Sequence, residues 1–587
     1  MANLGNGRYG SDVIVDLLQR YGIEYASLNP GASYRGLHDS IVNYGGNSPR
    51  IVECQHEEIA VQIAHGYAKA SGKPMVAILH DLVGLLHACM AIYYAYIDRA
   101  PILILGGTGP MNESRRRPRV DWIHTALVQG NAVRDYTKWD DQPSCVEAFP
   151  ESFARAYRVA LTEPQGPVYL CYDAQLQEDA ISSAVRLPNV DSARVPSRMQ
   201  ADLSALERLA GMLVEAKQPV FLVEYLGHDT STVPALVKLA ETVGAAVWDL
   251  RRRANFPNPH PLNLTDADVL AEADLIVGLD LRNWERPLTR LDSMARTLVP
   301  LTRPDCVFAE VGFADLELSS WSLDFQRFKE TSLSILADTS MAVPVLAEMC
   351  GKLVQNDPQA ESRIRARRQA LGQQQRALRS RWQEEARAQW DEAAPLSPAR
   401  VAGEVWEAIR HEDWVLTAGS MEDWAHRLWE FDQPYRYAGG ALGTATHIGI
   451  SLGVALAHKG SGRLVVDLQP DGDLMFDIGA LWVASKHEIP ILLVMHNNRA
   501  YWNDWEHQIR VARQRGRRVE NAYVGMDIDK PAPDFATVAK AFGWHGEGPL
   551  ERPEDIQPAL QRAIRAVKSG QPALVDTWTS HPASRRR

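Results

Sequence analysis

Short apolar runs alternate with helix-length segments along the chain, and this alternation constrains the fold more than any other feature. In the first part of the sequence the apolar runs lie at residues 23–28, 76–79, 102–106 and 168–172. Helical patterns such as residues 11–21 and 56–71 lie between them. Short runs that are apolar on both faces and separated by helices are typical of parallel strands covered by helices on both sides. The sequence therefore predicts a doubly wound α/β fold.

The same alternation recurs twice more, so three α/β domains are expected. The further candidate strands lie at residues 220–224, 245–250, 275–279, 306–311, 415–417, 464–468, 491–495 and 573–577. An arginine- and glutamine-rich segment between the second and third sets is typical of a solvated linker helix. The predicted organisation is a first domain, a central domain, a helical linker and a third domain, at residues 1–187, 197–350, 351–395 and 396–587.

Charge and cysteine content limit the partners and the compartment. The formal net charge is 62 − 73 = −11, which gives no general footprint for nucleic acid. The six cysteines form no C-x-x-C pair, which argues against a disulfide framework or a structural zinc site. The start of the chain lacks a signal-peptide pattern, and the most apolar stretch, residues 82–97, is too short to span a bilayer. We expect a cytoplasmic protein with neither nucleic-acid nor membrane partners.

The most informative motif lies in the third domain. One buried strand is followed by Asp471-Gly472, and the next ends in Asn497-Asn498, 498 − 471 = 27 residues later. Either dipeptide alone is more commonly a turn or a strand-end cap. In a β-α-β unit, however, both lie at the carboxyl ends of parallel strands, where open α/β sheets bind ligands. Carboxylate and amide oxygens there suit Mg²⁺ that holds a diphosphate, and Gly472 lets the backbone approach it closely.

This segment resembles the diphosphate-binding signature of thiamine diphosphate-dependent enzymes, in which Gly-Asp-Gly precedes Asn-Asn by about 27 residues; Pro470 replaces the first glycine. The resemblance implies that Asp471 and Asn498 ligate the metal through their side chains and that Ala500 does so through its carbonyl. It also implies cofactor contacts from Gly472 and Asp473. A glycine-rich stretch, residues 439–453, resembles the segment before the metal strand. It implies a further cofactor contact at Gly443, with either Leu442 or Ile448 under the bent cofactor.

A second match lies in the first domain, where Gln55-His-Glu-Glu-Ile-Ala is followed by Gly-Tyr-Ala and Gly-Lys-Pro. It resembles the helix that carries the cofactor-activating glutamate of the same family. The matching residue is Glu57, whose carboxylate would lie against N1′ of the aminopyrimidine and assist loss of the C2 proton. The alternative is an exposed acid at a helix start, which the helix dipole favours. We assign that ordinary role to Glu58.

The resemblance covers the whole chain and extends to acetolactate synthases, benzoylformate decarboxylases and oxalyl-CoA decarboxylases. It implies pyrimidine-binding, central and diphosphate-binding domains in this order. Because Glu57 and Asp471 belong to domains that meet across subunits in this family, a homodimer or homotetramer is implied. The central domain lacks an intact Gly-x-Gly-x-x-Gly, and FAD, ADP or no nucleotide there all remain open.

Fewer residues of the sequence bear on the substrate than on the cofactor. His80, 23 residues after Glu57, resembles the proton-shuttling histidine of benzoylformate decarboxylase, and imidazole suits that role near neutral pH. A strand-end histidine bonded to the backbone is the alternative. Ala32 lies where that decarboxylase has a serine. The stretch after the metal loop lines the substrate pocket in the family, which makes Tyr501, Trp502 and Glu506 candidates.

The leading hypothesis is a thiamine diphosphate-dependent C–C bond lyase or carboligase, similar to acetolactate synthase. It would act on a 2-oxo acid or 2-hydroxyacyl donor through a carbanion at C2 of the cofactor. The enzyme alternatives are a 2-hydroxyacyl-CoA lyase, to which runs of arginine would be suited, and a benzoylformate-type decarboxylase. The non-enzyme alternative is a decayed regulatory subunit.

Overall fold

Three α/β units follow one another along the chain, each built around one parallel sheet. The computed structural model describes residues 7–117, 123–182, 184–292, 297–319, 321–322, 327–390, 395–419, 421–440, 443 and 445–582. The predicted fold class, three parallel-sheet α/β units, is confirmed. Within the described ranges, no helix is both long enough and apolar enough to cross a membrane.

The first unit contains a six-stranded sheet. Its strands are β1 (Tyr25–Leu28), β2 (Arg50–Glu53), β3 (Met75–Leu79), β4 (Ile102–Thr108), β5 (Trp139–Asp141) and β6 (Val168–Asp173). Its helices are α1 (Gly10–Arg20), α2 (Arg35–Asp39), α3 (Glu57–Ser71), α4 (Asp81–Ile97), α5 (Phe149–Leu161) and α6 (Ala174–Glu178). The strand order is β2-β1-β3-β4-β6-β5 and every pairing is parallel, so the strands end at one common edge.

The central unit contains a five-stranded parallel sheet of order β13-β12-β9-β7-β8 and a separate antiparallel hairpin, β10–β11. The strands are β7 (Pro219–Val223), β8 (Ala246–Asp249), β9 (Leu275–Leu279), β10 (Thr289–Asp292), β11 (Thr297–Pro300), β12 (Val307–Gly312) and β13 (Leu333–Leu336). The helices are α7 (Leu203–Glu215), α8 (Thr232–Val243), α9 (Glu285–Leu288) and α10 (Thr339–Gln355). The predicted domain boundary at 350 cuts α10, which continues to Gln355 before Pro358 starts the next helix.

That next helix, α11 (Pro358–Arg387), is the predicted linker, but it is not solvated on all sides. Ile364, Leu371 and Trp382 lie on a buried face. The Arg367 guanidinium donates hydrogen bonds to backbone carbonyls of the central unit, including that of Gly244 at 2.8 Å. The predicted helix is therefore present, but only one side of it is solvated, because widely spaced apolar residues form a buried stripe along an otherwise charged helix.

The third unit contains a five-stranded parallel sheet of order β14-β15-β16-β18-β17. Its strands are β14 (Trp414–Gly419), β15 (Leu464–Pro470), β16 (Leu492–Asn497), β17 (His545–Leu550) and β18 (Ala573–Trp578). Its helices are α12 (Pro398–Ile409), α13 (Glu422–Leu428), α14 (His447–Ala457), α15 (Asp471–Phe476), α16 (Ala480–Lys486), α17 (Trp502–Gln514), α18 (Phe535–Ala541) and α19 (Pro553–Lys568). Strands β15 and β16 are direct neighbours, which brings the residues after them to one edge.

The first and third units meet along α3 and α14, whose backbones approach so closely that glycine is required at the crossing. A Cβ atom at Gly66 would collide with the carbonyl oxygen of Ile450, and one at Gly453 would collide with that of Ile63. A single hydrophobic cluster runs through both units and includes Leu493 of the third sheet. The two units therefore share one core, although the central unit separates them in sequence.

Candidate active site

Asp471 lies at the carboxyl end of β15 as the first residue of α15, and only 2 % of its surface is exposed. Its Oδ1 accepts a hydrogen bond from the Gly472 amide at 2.9 Å, and the amides of Arg499 and Ala500 also donate to the carboxylate. Its Oδ2 is buried and makes no hydrogen bond. Burial raises the pKa of Asp471 to about 7 against these amide donors.

Asn498 follows the neighbouring strand β16, and its Oδ1 accepts a hydrogen bond from the Ala500 amide at 2.9 Å. The Asp471 carboxylate shares that donor, so the two predicted ligand side chains converge on one loop. A buried carboxylate oxygen without a protein partner is the group that a cation would satisfy. The residues present therefore fit a divalent metal with oxygen ligands.

Two neighbouring residues shape this metal loop. A Cβ atom at Gly472 would lie 2.5 Å from the Tyr501 ring, so only glycine lets that ring pack on the turn. The Asp473 carboxylate accepts hydrogen bonds from the amides of Ala445 and His447 at the start of α14. Asp473 thus holds the glycine-rich segment in place.

The glycine-rich segment itself is described in part. A Cβ atom at Gly443 would collide with the hydroxyl of Tyr94 from the first unit. Ile448, one of the two candidates for the position under the cofactor, is fully buried in the core cluster of the two units. The other candidate, Leu442, lies outside the described residues.

Glu57 is the first residue of α3, and its side chain is 5 % exposed. Its Oε2 lies 3.1 Å from Nδ1 of His87 on α4, and Asn29 provides a second hydrogen bond. Burial opposes ionisation of this carboxyl, but the bonds from His87 and Asn29 outweigh it and lower its pKa. Glu58 faces the other way: burial and the charges of Asp477 and Asp473 in the third unit raise its pKa to about 7.

His80 directly follows β3 and lies near Glu57, whose charge acts on its imidazole. Its Nδ1 lies 3.0 Å from the Ser33 hydroxyl, which also accepts a hydrogen bond from the Asp81 amide. Gly84 lies between the two residues, since a Cβ atom there would be 3.0 Å from Glu57 Oε1 and 3.2 Å from Cβ of His80. Burial and the nearby His124 imidazole lower the pKa of His80, so the ring is neutral near pH 7.

Sequence reasoning did not single out Ser33 and His87. Ala32, where a serine was expected, is exposed, and the next residue, Ser33, makes the contact to His80. The sequence contained a signal for this contact, because a serine follows the Asn29-Pro30-Gly31 loop one residue later than expected. His87 carried only the signal of a polar residue in the apolar helix α4, and only the fold shows that it reaches Glu57.

The remaining candidates for the substrate pocket are Tyr501, just before α17, and Trp502 and Glu506 on that helix. The Trp502 ring stacks on His581 with centroids 4.7 Å apart and also contacts Trp505. Glu506 pairs with Arg510 one turn later at 2.9 Å. Tyr501 is therefore the candidate of this stretch that the structure places directly against the metal loop.

The carboxyl edge of the central sheet does not fit a flavin dinucleotide. Glu224, Asp280 and Asp338 follow β7, β9 and β13 there and are buried, and Arg99 of the first unit pairs with Asp280 at 2.6 Å. The other two carboxylates are also bonded within the fold, Glu224 to the Arg282 amide at 2.7 Å and Asp338 to the Ser340 amide at 2.8 Å, so this edge is filled by internal contacts. A cavity of about 270 Å³ beside the end of β8 is smaller than typical ligand pockets of roughly 300–1,000 Å³.

We therefore expect the purified protein to carry no flavin. The measurement is an absorbance spectrum of the native protein together with analysis of the supernatant after denaturation. Stoichiometric flavin in that supernatant would show that the edge opens to accept a dinucleotide and would contradict the prediction.

The fold and the metal loop together define the class of α/β proteins that bind a diphosphate cofactor at the carboxyl ends of a parallel sheet. Residues 8–131 match the family described as "Thiamine pyrophosphate enzyme, N-terminal TPP binding domain", and residues 417–577 match "Thiamine pyrophosphate enzyme, C-terminal TPP binding domain". The chain therefore has both cofactor-binding domains of this family and is a thiamine diphosphate-dependent enzyme.

Individual relatives are distant but match over nearly the full length. Acetolactate synthase isozyme 3 large subunit of Escherichia coli (strain K12) is 24% identical, covering 97% of this chain and 94% of the relative. Benzoylformate decarboxylase from Polynucleobacter necessarius has a TM-score of 0.75 at 20% identity, covering 98% and 99% of the two chains. The 4-hydroxybenzoylformate decarboxylase from Rhodococcus jostii has a TM-score of 0.73 at 19% identity, with the same coverage.

Proposed function

We propose that this enzyme is a C–C bond lyase or carboligase that acts on a 2-oxo acid. The observation that supports it most is that Glu57 and His80 lie close together, both next to Gly84. Together they offer a carboxylate for the cofactor and a neutral imidazole for a proton of the substrate or product.

The residues of the metal loop would hold the cofactor through Mg²⁺. Asp471, Asn498 and the carbonyl of Ala500 are the proposed ligands, and their oxygens suit this hard cation. When bound, thiamine diphosphate supplies the electron sink for breaking the bond next to a carbonyl. Glu57 would hold a proton against N1′ of the aminopyrimidine, and its bonds to His87 and Asn29 fix its orientation.

His80 would move the proton at the reacting carbon. Its Nδ1 is occupied by Ser33 at 3.0 Å, which fixes the ring and leaves Nε2 as the nitrogen that can exchange a proton. Since burial and His124 lower its pKa, His80 is a neutral base near pH 7. After a 2-oxo acid loses CO₂, the reacting carbon must take up a proton before an aldehyde product leaves, and His80 would supply it.

We expect His80→Ala to bind the cofactor normally but to lose roughly 10²–10⁴-fold in single-turnover rate, the usual contribution of a positioned acid or base. The substrate is first chosen from a panel of aryl and aliphatic 2-oxo acids and 2-hydroxyacyl-CoA esters. Exposed His411 offers a matched control, because His411→Ala removes an imidazole away from the pocket. If His80 only stabilises the strand end, its variant will instead show a lower melting temperature and an unchanged rate per folded molecule.

The same panel tests the second candidate, a 2-hydroxyacyl-CoA lyase. Exposed Arg513, Arg515 and Arg517 lie at and beyond the end of α17, the helix that starts next to Tyr501 of the metal loop. Arginine forks suit the phosphates of CoA. A preference for CoA esters that Arg513→Ala removes would favour this candidate over a free 2-oxo acid.

We further propose that a second copy of the chain completes the site, in a homodimer or homotetramer. Glu57 makes its side-chain contacts within the first unit, whereas the neighbouring Glu58 faces the third unit of the same chain. Exposed apolar side chains flank both halves of the site: Leu86 and Met90 on α4 beside Glu57, and Met475 and Phe476 on α15 beside Asp471. Covering these side chains with a second copy would stabilise the assembly.

A further inference from the structure

A cluster of polar side chains at the carboxyl edge of the central sheet has no role in the proposed reaction. Glu163, in the loop between α5 and β6, meets His228 and Asp338 of the central unit, and we call these three residues the His228 cluster. His228 Nε2 lies 3.4 Å from Oδ1 of Asp338 and 3.8 Å from Oε1 of Glu163. One ligand atom from each of the three residues lies within 4.8 Å of the other two.

The orientation of the His228 ring is fixed by its other nitrogen. Nδ1 lies 3.0 Å from the backbone carbonyl of Tyr225, and because a carbonyl only accepts, Nδ1 carries a proton. Nε2 therefore faces the two carboxylates, yet it is buried and makes no hydrogen bond of good geometry to either. A lone pair held between two carboxylates is repelled unless a cation lies among them.

The surrounding arginines form close ion pairs with Asp280 and Asp229 but not with Glu163 or Asp338. Asp280, whose Oδ2 is buried without a hydrogen bond and lies 3.4 Å from the His228 ring, pairs with Arg99 at 2.6 Å. Arg198 forms its close ion pair with Asp229 and approaches Asp338 only at 3.7 Å. Glu163 and Asp338, with side chains 10% and 0% exposed, are held by neutral donors instead. The Gln165 amide donates to Oε2 of Glu163 at 3.1 Å, and the amide and hydroxyl of Ser340 donate to Oδ1 of Asp338 at 2.8 and 2.7 Å. Oδ2 of Asp338 is buried without a hydrogen bond, so a cation among these groups would compensate the buried negative charge.

We propose that Glu163, His228 and Asp338 bind a divalent metal ion of the Zn²⁺ type. One imidazole and two carboxylates form a ligand set that such ions accept, with water completing the coordination. Metal–ligand bonds of about 2.0–2.2 Å place neighbouring ligand atoms roughly 3.3–3.5 Å apart. His228 Nε2 and Asp338 Oδ1 already lie 3.4 Å apart, and Glu163 Oε1, at 3.8 Å from Nε2, needs only a small movement. The hydrogen bond from Nδ1 to the Tyr225 carbonyl is the support that metal-bound histidines commonly have.

The competing occupant of the cluster is a proton. Burial alone would lower the pKa of His228, but Asp280, Asp338 and Glu163 raise it to about 10 when no metal is bound. The metal must displace this proton, so its affinity is expected to increase with pH. Because Glu163 belongs to the first unit and its two partners to the central unit, the ion would tie the units together.

The test uses the full chain, stripped with chelator and then saturated with Mg²⁺ and thiamine diphosphate to fill the active site. After incubation with ZnCl₂ and desalting, we expect His228→Gln to retain one equivalent of zinc per chain less than the parent. Exposed His411→Gln, the matched control, should retain as much as the parent. Zinc bound at His56, His80, His87 or His124 is common to all three proteins and cancels in the difference.

Two further measurements keep the result decisive. Zinc should raise the melting temperature of the parent by more than that of His228→Gln, because it binds only the folded cluster. If His228→Gln fails to fold, Glu163→Gln must lose the same equivalent. Equal zinc in parent and variants, or no zinc in the parent at all, would overturn the proposal and identify His228 as a buried imidazolium.

Discussion

The Asp471→Ala variant is expected to lose metal-dependent binding of thiamine diphosphate by roughly 10²–10⁴-fold, since removing one partner of a buried charge pair costs about 3–5 kcal/mol. The Asp471 carboxylate is held by three backbone amides, and its Oδ2 has no protein partner to compete with the metal. Isothermal titration of the cofactor with and without Mg²⁺ measures the effect.

Two comparisons sharpen this result. Asp432, exposed in the segment between α13 and α14, offers the matched control, and Asp432→Ala should bind the cofactor as the parent does. Because burial raises the pKa of metal-free Asp471 to about 7, protons compete with the metal at lower pH. Affinity in the parent should therefore fall as pH decreases below about 7. Tight Mg²⁺-dependent binding by Asp471→Ala would remove this residue from the ligand set.

The Glu57→Gln variant is expected to keep its fold and most of its cofactor affinity but to exchange the C2 proton of the cofactor roughly 10²–10⁴-fold more slowly. The amide is similar in shape, yet it cannot share a proton with N1′. Hydrogen–deuterium exchange followed by NMR after acid quench reports the rate. Exposed Glu113 provides the control Glu113→Gln. If the Glu57→Gln variant exchanges the C2 proton as fast as the parent, Glu57 is not the activating residue and Glu58 should be tested.

Mixing the two inactive variants tests whether the site forms between chains. If a second copy completes each site, half of the co-refolded dimers contain one chain of each variant, and one of the two sites in such a dimer is intact. About a quarter of parental activity should then return. If both halves of the site come from one chain, every site carries a defect and no activity returns. A mixture without activity would refute the proposed assembly while leaving the roles of Glu57 and Asp471 untouched.

The sequence predicted strands best where both faces are covered. All twelve predicted strands occur, and their ends agree to within about two residues. It missed six strands: β2, β5, β13 and β17, which lie at sheet edges, and β10 and β11, which form the separate hairpin. All six are partly exposed, so their apolar residues form no continuous buried run. Edge strands are defined by the pairing partner rather than by their own composition.

Within the site, the sequence was informative where a residue is tied to a strand end. Asp471 and Asn498 follow adjacent strands, so their convergence follows from topology. Ser33 and His87 reach His80 and Glu57 from other elements, and no spacing in the chain encodes these contacts. The ion pair between Arg99 and Asp280 at the edge of the central sheet could not be predicted either, because the two residues are far apart in sequence.

The crossing of α3 and α14 at Gly66 and Gly453 also has a consequence for how the protein is made. During translation the first unit leaves the ribosome long before α14 is synthesised, because the whole central unit lies between the two in sequence. At about 5–20 residues per second, α14 is synthesised roughly 20–80 s after α3. During that interval the nascent chain presents an unpaired apolar helix face, so we expect its yield in cells to depend on chaperones that shield such surfaces during translation.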